Sequence, residues 1–379
     1  MSQPAVDSMR ASCLALLRGQ RAGVIPLVAD ITYWITGREQ DGTADPAWNG
    51  EEGYLALHRD LGIMPYYYYP KFSVGYPAYD AAIEWTHQRQ GQTTTQTIRT
   101  PRGELTEVSV FLPESCSTGI VKHFVETPEE LDILRYLLEH RRLVPCNLDD
   151  YTARLAAWTE YDGLPSLGFP RSPLSSFFYE WAGVLQGVYL LLDCESAALE
   201  AMAMMEAQEA PLLAAVCELR PPLIHFADNL SSDNITPFYD DLMAPMHRRW
   251  LEQLHQVGIT AAVHLDGTIR GLLPKLAAVG FDSVEALTPK PVGDVGLAEM
   301  RAVAGSDRLV LWGGLPGAMF APPYRWEDME AHLHQLLDAW RGTPFIIGVA
   351  DQVPPDGDIT FLPKIAAILR DIPHQAANA

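Results

Sequence analysis

The stretch TAAVHLDGTIRGLLPKLAAVGFDSVEAL, residues 260–287, decides the fold. It contains two short apolar runs, at residues 260–266 and 283–287, and an amphipathic segment at residues 269–279 between them. Short apolar runs of this kind are typical of buried strands, whereas the segment between them has the periodicity of a helix. The order strand, helix, strand predicts two parallel strands joined by a right-handed crossover.

The same alternation of strands and helices extends to both sides of this stretch. Further strands are predicted at residues 24–30, 164–168, 223–228, 309–313 and 345–350. Further helices are predicted at residues 197–218, 237–257, 295–304 and 325–340. At least seven strands alternating with helices predict an α/β fold, a (β/α)8 TIM barrel. A doubly wound open sheet is the alternative, but the glycine fingerprint typical of its first strand is missing from this sequence.

The N-terminal part of the sequence is less regular. Residues 31–150 contain many Gly, Pro and aromatic residues, which predicts a loop-rich segment before the regular barrel part at residues 160–375. Within it, residues 92–100 and 104–112 flank a Pro-Arg-Gly turn and predict a β-hairpin insertion. Helices are predicted at residues 7–20 and 128–140. Because no linker or internal repeat divides the sequence, we predict a single domain over residues 1–379.

The charge balance excludes several classes of function. The chain has 379 residues, with 27 Lys and Arg against 48 Asp and Glu, which gives a formal net charge of −21. A surface this acidic repels phosphate backbones and anionic lipids, so neither nucleic acid nor a membrane is an expected partner. The five cysteines show no metal-binding or disulfide spacing, and no secretory signal is recognisable. These features predict a cytoplasmic protein.

Polar residues lie at or near the carboxyl ends of the predicted apolar strands. In chain order they are Asp30, Asp228, Asn229, His264, Asp266, Glu285 and Asp351, and the glycines Gly313 and Gly314 lie at the end of a further strand. In a barrel these ends converge on one mouth, where the chemistry of the fold takes place. His264 and Asp266 are two residues apart on a strand and therefore point to the same side. Together with Asp351 and Glu285 they form a set that can bind a divalent metal ion or perform acid–base chemistry.

Other interpretations of these residues remain open. Asp266 can cap the helix that follows it. Gly313 and Gly314 can present backbone amides to a cofactor, or can simply allow a tight turn. The run of four tyrosines at residues 66–69, Tyr67 among them, can line a pocket for a flat cofactor or pack beneath a loop.

Several motifs resemble the uroporphyrinogen decarboxylase superfamily, and more closely its branch of cobalamin-linked methyltransferases of the methylcobamide:coenzyme M type. They are HLDG at residues 264–267, LLP at 272–274, GFD at 280–282, EALTP at 285–289, PVGD at 291–294 and DQVPP at 351–355. The resemblance implies a (β/α)8 barrel and an enzyme that transfers methyl groups. It also implies a corrinoid, which a partner protein has to supply because the sequence contains no corrinoid-binding motif.

The sequence differs from the family pattern in two places, which bear on the expected substrate and on the expected metal ligands. Decarboxylases of the superfamily carry arginines directly after the first strand, but here that segment is Asp30-Ile31-Thr32-Tyr33-Trp34 and the next arginine is Arg38. The methyltransferases bind zinc through His-x-Cys and a later Cys, where this sequence has His264, Asp266 and Asp351. The resemblance therefore implies these three residues as ligands of Zn²⁺ or another divalent metal, in a set richer in oxygen donors.

The leading hypothesis is a metal-dependent, corrinoid-linked methyltransferase. It would move a methyl group between a methoxylated or thiol small molecule and cobalamin carried by a partner protein. Glu285 and Asp228 are candidates either for acid–base chemistry or for supporting the metal ligands, and Asn229 is a candidate for orienting the substrate. Gly313, Gly314 and Tyr67 are the candidates for contact with the cofactor. The alternatives are a metal-free decarboxylase-like lyase and a non-catalytic binder of tetrapyrroles or corrinoids. A homodimer is expected by default, because symmetric dimers are common.

Overall fold

A computed structural model describes residues 8–372 of the chain. These residues divide into two compact units. The first comprises the chain as far as Phe72, then Asp149–Gly168, and the chain from Arg220 onward; the second comprises Ser73–Leu148 and Phe169–Leu219. The single domain predicted from the sequence stays a prediction. Within residues 8–372, no helix combines the length and the apolar character needed to cross a membrane.

The structure contains parallel and antiparallel sheets. The strands are β1 Leu27–Val28, β2 Gly75–Tyr79, β3 Glu84–Gln90, β4 Thr93–Thr100, β5 Gly103–Leu112, β6 Ser117–Lys122, β7 Arg141–Pro145, β8 Gly168–Phe169, β9 Leu223–Leu230, β10 Thr260–Leu265, β11 Ser283–Leu287, β12 Val310–Pro316 and β13 Phe345–Ala350. The α-helices are α1 Met9–Leu17, α2 Thr32–Gln40, α3 Gly50–Leu61, α4 Pro128–Glu139, α5 Tyr151–Thr159, α6 Pro173–Ser176, α7 Val184–Asp193, α8 Glu195–Leu219, α9 Ser232–Phe238, α10 Ala244–Gln256, α11 Leu273–Val279, α12 Leu297–Ala304, α13 Trp326–Trp340 and α14 Phe361–Arg370.

Seven strands form one sheet in the order β1-β13-β12-β11-β10-β9-β8. Strand β1 pairs with β13 in parallel orientation. The neighbouring pairs β9–β10, β10–β11, β11–β12 and β12–β13 are also parallel. These strands are buried along nearly their whole length, because helices cover one face and side chains fill the interior. The α/β barrel predicted from the sequence is confirmed, and β11 and β13 have the predicted bounds.

An extended segment at residues 64–67 closes the gap between the two edges of this sheet. The backbone amide of Met64 donates to Leu27 O of β1 at 2.8 Å. On its other side, the amides of Leu164 and Ser166 donate to Pro65 O and Tyr66 O at 3.0 and 3.1 Å. This segment therefore occupies the eighth position of the barrel and carries part of the tyrosine run to its interior.

The second unit is built on antiparallel sheets. One sheet has the order β3-β4-β5-β6, and β2 pairs with β7. The predicted hairpin is confirmed, since β4 and β5 pair in antiparallel register from Thr93 opposite Val110 to Thr100 opposite Gly103. Helix α4 starts with a capping box formed by Thr127 and Glu130, which explains why its predicted start was accurate.

Some elements differ from the prediction. Helices α2 and α3 lie in the segment for which only loops were predicted. The sequence of α2 has little amphipathic character, and it is anchored by distant residues: Trp34 Nε1 donates to Gly357 O at 3.1 Å and Arg38 Nη2 to Pro355 O at 3.0 Å. The single helix predicted at residues 237–257 is instead α9, a π-helical turn and α10.

Candidate active site at the carboxyl ends of the strands

The centre of the candidate site is a hydrogen bond between two neighbouring strands of the barrel. His264 of β10 lies in register with Glu285 of β11; His264 is near the carboxyl end of its strand and Glu285 is at the middle of its strand. The His264 Nδ1–H donates to Glu285 Oε2 at 2.6 Å. Only 2% of the Glu285 side chain and 14% of the His264 side chain are exposed. Glu285 thus fixes the orientation of the imidazole and leaves Nε2 facing the mouth of the barrel.

Two tyrosines and a second histidine complete the buried part of this group. The hydroxyl of Tyr67 donates to Glu285 Oε1. His225 of β9 places Nε2 at 3.4 Å from Glu285 Oε2, and its Nδ1 is 3.1 Å from the hydroxyl of Tyr66. Both carboxylate oxygens of Glu285 therefore face donors, which satisfies a charge buried in the barrel.

Asp351 and Asp30 lie on the other side of His264. Asp351 follows β13 and places Oδ1 at 3.7 Å from His264 Nε2, with 44% of its side chain exposed. Asp30 follows β1, is buried, and accepts hydrogen bonds from the Tyr69 hydroxyl at 2.5 Å and the Thr32 amide at 2.8 Å. The site is thus open to solvent at Asp351 and closed at Glu285.

The electrostatics of the group follow from this arrangement. Burial disfavours a charged imidazole, but the charge and hydrogen bond of Glu285, with Asp351 and Asp266, raise the pKa of His264 to about 9. Burial likewise opposes the charge of Glu285, yet His264 and His225 hold its pKa below its usual range. Desolvation by the surrounding protein raises the pKa of Asp351 to about 6, although His264 opposes this effect. In the absence of a metal ion, His264 is therefore a cation held between two carboxylates at neutral pH.

Asp266 does not cap the helix that follows it. The amides of Ile269 and Arg270 are instead bound by the carboxylate of Asp294, at 2.8 Å for the first and 3.2 Å for the second. Asp266 is exposed, and its charge contributes to the raised pKa values of His264 and Asp351. The carboxylate of Asp266 is therefore close to the mouth and is not used as a helix cap.

Asp228 lies apart from this group. Its carboxylate is fully buried and contacts His247 Nε2 of α10 at 3.2 Å. Asn229, the next residue of β9, is half-buried and has a left-handed backbone with φ of 50°. Acid–base and substrate-orienting roles for these two residues stay predictions, and the structure brings neither of them into hydrogen bonding with Glu285 or His264.

Gly313 and Gly314 are inside β12 rather than in a loop after it. Both have positive φ, 141° and 94°. A Cβ on Gly313 would lie 2.5 Å from Leu287 N, and one on Gly314 would lie 2.2 Å from a methyl carbon of Leu336. Close packing of the barrel therefore requires glycine at both positions. Their contact with a cofactor stays a prediction.

Two sets of side chains are candidates for a metal ion. His225, His264 and Glu285 offer ligand atoms that lie within 4.8 Å of one another. However, the 2.6 Å between His264 Nδ1 and Glu285 Oε2 is a hydrogen-bond length, shorter than the roughly 3.4 Å between two ligands of one tetrahedral zinc ion. The 3.7 Å between His264 Nε2 and Asp351 Oδ1 suits two ligands of one ion better. His264 and Asp351 therefore fit a divalent metal at His264 Nε2, with Glu285 orienting the ligand from behind. Among the described residues, Asp266 does not join them in a group of three whose ligand atoms lie within 4.8 Å of one another, so its role as a third ligand stays a prediction.

Sequence reasoning missed His225 and Tyr66. A histidine inside an otherwise apolar strand, Leu-Ile-His-Phe at residues 223–226, was the available signal. Tyr66 was seen only as part of a tyrosine run, because the extended segment that carries it lacks the apolar pattern of a strand.

Comparison with known proteins adds evidence on the fold. No protein-family model and no curated protein sequence matches the chain. The structure is similar to a methyltransferase from Methanosarcina mazei, with a TM-score of 0.58 and 13% sequence identity over 96% of this chain and 98% of that chain. This likeness shows a shared fold.

Two further solved structures are more distant. A B12-independent methionine synthase from Shewanella sp. W3-18-1 has a TM-score of 0.45 and 12% identity, over 92% of this chain and 98% of that chain. A D-psicose 3-epimerase from Clostridium cellulolyticum H10 has a TM-score of 0.34 and 10% identity, over 61% and 85%.

Proposed function

We propose that this protein is a metal-dependent enzyme that transfers a methyl group between a small molecule and a corrinoid carried by a partner protein. The observation that carries the proposal is the hydrogen bond from His264 Nδ1 to Glu285, which leaves Nε2 facing Asp351 at 3.7 Å. A carboxylate behind a histidine is the usual arrangement around a histidine that binds metal. The fold shared with the methyltransferase from Methanosarcina mazei supports the same reaction class.

In this proposal, His264, Asp351 and Asp266 hold a divalent ion such as Zn²⁺. A bound ion supplies Lewis acidity that stabilises negative charge on the oxygen or sulfur that loses or accepts the methyl group. Glu285 keeps the Nδ1 proton on His264, so that Nε2 has a lone pair to offer. Tyr67 holds Glu285 in turn through its hydroxyl.

The charges of the site favour a neutral donor or acceptor over an anion. The carboxylates of Asp30, Asp266, Glu285 and Asp351 surround the mouth, and the only cationic side chain described among them is the imidazole of His264. A divalent ion leaves this group with a negative balance. A methoxylated compound, or a thiol without an acidic group, therefore suits the site better than a sulfonate or carboxylate.

A metal-free lyase is the second candidate, and a specific observation favours it. The imidazole of His264 lies between Glu285 Oε2 at 2.6 Å and Asp351 Oδ1 at 3.7 Å, which is the geometry of an imidazolium held by two carboxylates. Such a group can donate a proton to a substrate carbon. The two candidates differ in whether the purified protein binds a metal ion.

The test is the metal content of the purified protein, measured by plasma mass spectrometry, followed by methyl transfer to or from free cobalamin. We expect about one equivalent of a divalent metal in the wild-type protein, and its loss in His264→Ala and Asp351→Ala. His255→Ala is the matched control, because His255 forms an ion pair with Asp282 at 2.9 Å on the surface.

Two results would decide against the proposal. A folded, metal-free protein that is also inactive with every methyl donor after addition of zinc favours the lyase. Loss of the metal in His225→Ala, with retention in Asp351→Ala, places the ion at His225, His264 and Glu285 instead.

A further inference from the structure

A cavity of about 370 Å³ lies at the end of the barrel opposite the candidate active site. It is lined by residues 18–22, which precede β1, by Asp307 and Arg308, which precede β12, and by Thr343 and Pro344, which precede β13. These three strands are neighbours and run parallel. The cavity is therefore at their amino ends, whereas Asp30 and Asp351 follow the carboxyl ends of β1 and β13.

The cavity is basic in an acidic protein. Arg18, Arg21 and Arg308 line it, and Asp307 is the one carboxylate among its lining residues. The whole chain has a net charge of −21 and only 27 Lys and Arg. Three arginines around one cavity therefore make the local charge positive where the chain as a whole is negative. Within residues 8–372, the arginine–carboxylate ion pairs involve other arginines. All three arginines are exposed, so their guanidinium donors are open to solvent and to a ligand.

The walls of the cavity are held in place by a fourth arginine. Arg301 of α12 donates from Nη1 to Ser306 O at 2.8 Å and to Leu309 O at 2.6 Å. Its Nη2 donates to Pro344 O at 2.8 Å. One guanidinium therefore ties the loop before β12 to the loop before β13. A ligand would enter a preformed cavity, without the entropic cost of ordering these loops.

We propose that this cavity binds the phosphate group of a small phosphorylated molecule. Guanidinium groups match phosphate oxygens with paired hydrogen bonds, and arginines from two separate segments can contact a tetrahedral anion from more than one side. The volume lies in the range of small-molecule pockets, roughly 300–1,000 Å³, which leaves room for an organic part. Because the chemistry of barrels occurs at the other end, the ligand acts as an effector or stabiliser and not as the substrate.

The test is a titration of the full-length protein with inorganic pyrophosphate, followed by calorimetry at low ionic strength. We expect saturable binding of one equivalent, weakened about tenfold in Arg308→Ala and in Arg21→Ala, the loss of one charged hydrogen bond in each case. Asp307→Asn removes the opposing charge and is expected to tighten binding a few-fold. Arg99→Ala is the control, since it changes the net charge equally but lies in β4 and pairs with Glu104.

Thermal unfolding of each variant confirms that it is folded and gives a second readout, because pyrophosphate should raise the Tm of wild-type protein but not of the Arg21→Ala/Arg308→Ala double variant. The absence of saturable binding in the millimolar range would overturn the proposal. Equal weakening in Arg99→Ala would show a general charge effect, which also overturns it. Citrate that binds as tightly as pyrophosphate would show a carboxylate site instead of a phosphate site.

Discussion

Two histidine–carboxylate pairs of the parallel barrel have similar chemistry but different surroundings. Glu285 contacts His264 at 2.6 Å, and Asp228 contacts His247 at 3.2 Å. His247 and Asp228 are completely buried, and the second ring nitrogen of His247 is 3.2 Å from the hydroxyl of Tyr239. In contrast, the second ring nitrogen of His264 faces Asp351 at the open mouth.

The difference shows that access, rather than the type of pair, separates a candidate active site from a structural contact. The ring of His247 lies among aromatic side chains, with Phe226 and Phe281 at centroid distances of 5.6 and 5.1 Å. No metal ion or substrate can approach it without unpacking the interface between β9 and α10. We therefore expect the first pair to affect activity and the second to affect stability.

The largest expected effect is on catalysis. In His264→Ala the methyl-transfer rate should fall about 10³-fold or more, because the lost Lewis acid is worth several kcal/mol in the transition state. In His247→Ala the rate per folded molecule should stay within a few-fold of wild type. Single-turnover kinetics on the folded fraction measure both. Equal losses in the two variants would remove the distinction between the pairs.

The next effect is on stability. Asp228→Ala should lower the free energy of unfolding by about 3–5 kcal/mol, since it removes the buried carboxyl group that contacts His247 Nε2. Urea unfolding followed by circular dichroism measures the loss. The partly exposed ion pair of His255 and Asp282 provides the control, and His255→Ala should cost less. A loss below about 1 kcal/mol in Asp228→Ala would contradict a structural role.

A further buried histidine, His58, has no carboxylate partner and sharpens the contrast. Burial lowers the pKa of His58 to about 4, and its Nδ1 donates to Tyr54 O at 2.8 Å. Because the unfolded chain takes up this proton near pH 6.5 and the folded chain only near pH 4, stability falls as the pH drops through this window. The loss should reach roughly 3 kcal/mol at pH 4.

Urea unfolding of His58→Gln at pH 7 and pH 4.5 tests this, because the variant should show a smaller loss between the two values. His87→Gln, at an exposed position in β3, is the control and should unfold like wild type at both pH values. An unchanged pH dependence in His58→Gln would show that another group causes the acid sensitivity.

A smaller effect on metal binding is expected for Glu285, which orients the proposed metal ligand His264. Glu285→Gln keeps the size of the side chain but loses the charge that orients His264, so metal affinity should fall about 10–100-fold. Competition with a chelator measures this. The corresponding change in the fully buried pair of Asp228 and His247, Asp228→Asn, should leave metal affinity unchanged. A wild-type affinity in Glu285→Gln would mean that Glu285 does not support a metal ligand.

The smallest effect is expected for Tyr67→Phe, which removes one hydrogen bond to Glu285. Metal affinity or the rate should fall only several-fold, corresponding to about 1 kcal/mol. The same measurements apply, with Tyr189→Phe as the control because that tyrosine is exposed on α7. A complete loss of activity would instead indicate that the Tyr67 hydroxyl contacts the substrate.

Parts of the candidate site could be predicted because strand ends are visible in the sequence. His264, Glu285 and Asp351 each interrupt or follow an apolar run, and β11 and β13 were predicted with their exact bounds. Their common location follows from the parallel order of the strands alone. His225 and Tyr66 were missed because their roles depend on which side chains face them, and one sequence does not contain that information.

The sequence by itself determined the α/β alternation, the polar residues at the strand ends and the acidic charge of the chain. Periodicity and composition are local properties, so they can be recognised without coordinates. The tertiary structure alone decided that Glu285 faces His264 while Asp228 faces a helix, and that Asp294 caps the turn near Asp266. It also decided that three arginines from two separate segments line one cavity. Such contacts join residues far apart in the chain, and only packing selects among the many pairings that local patterns allow.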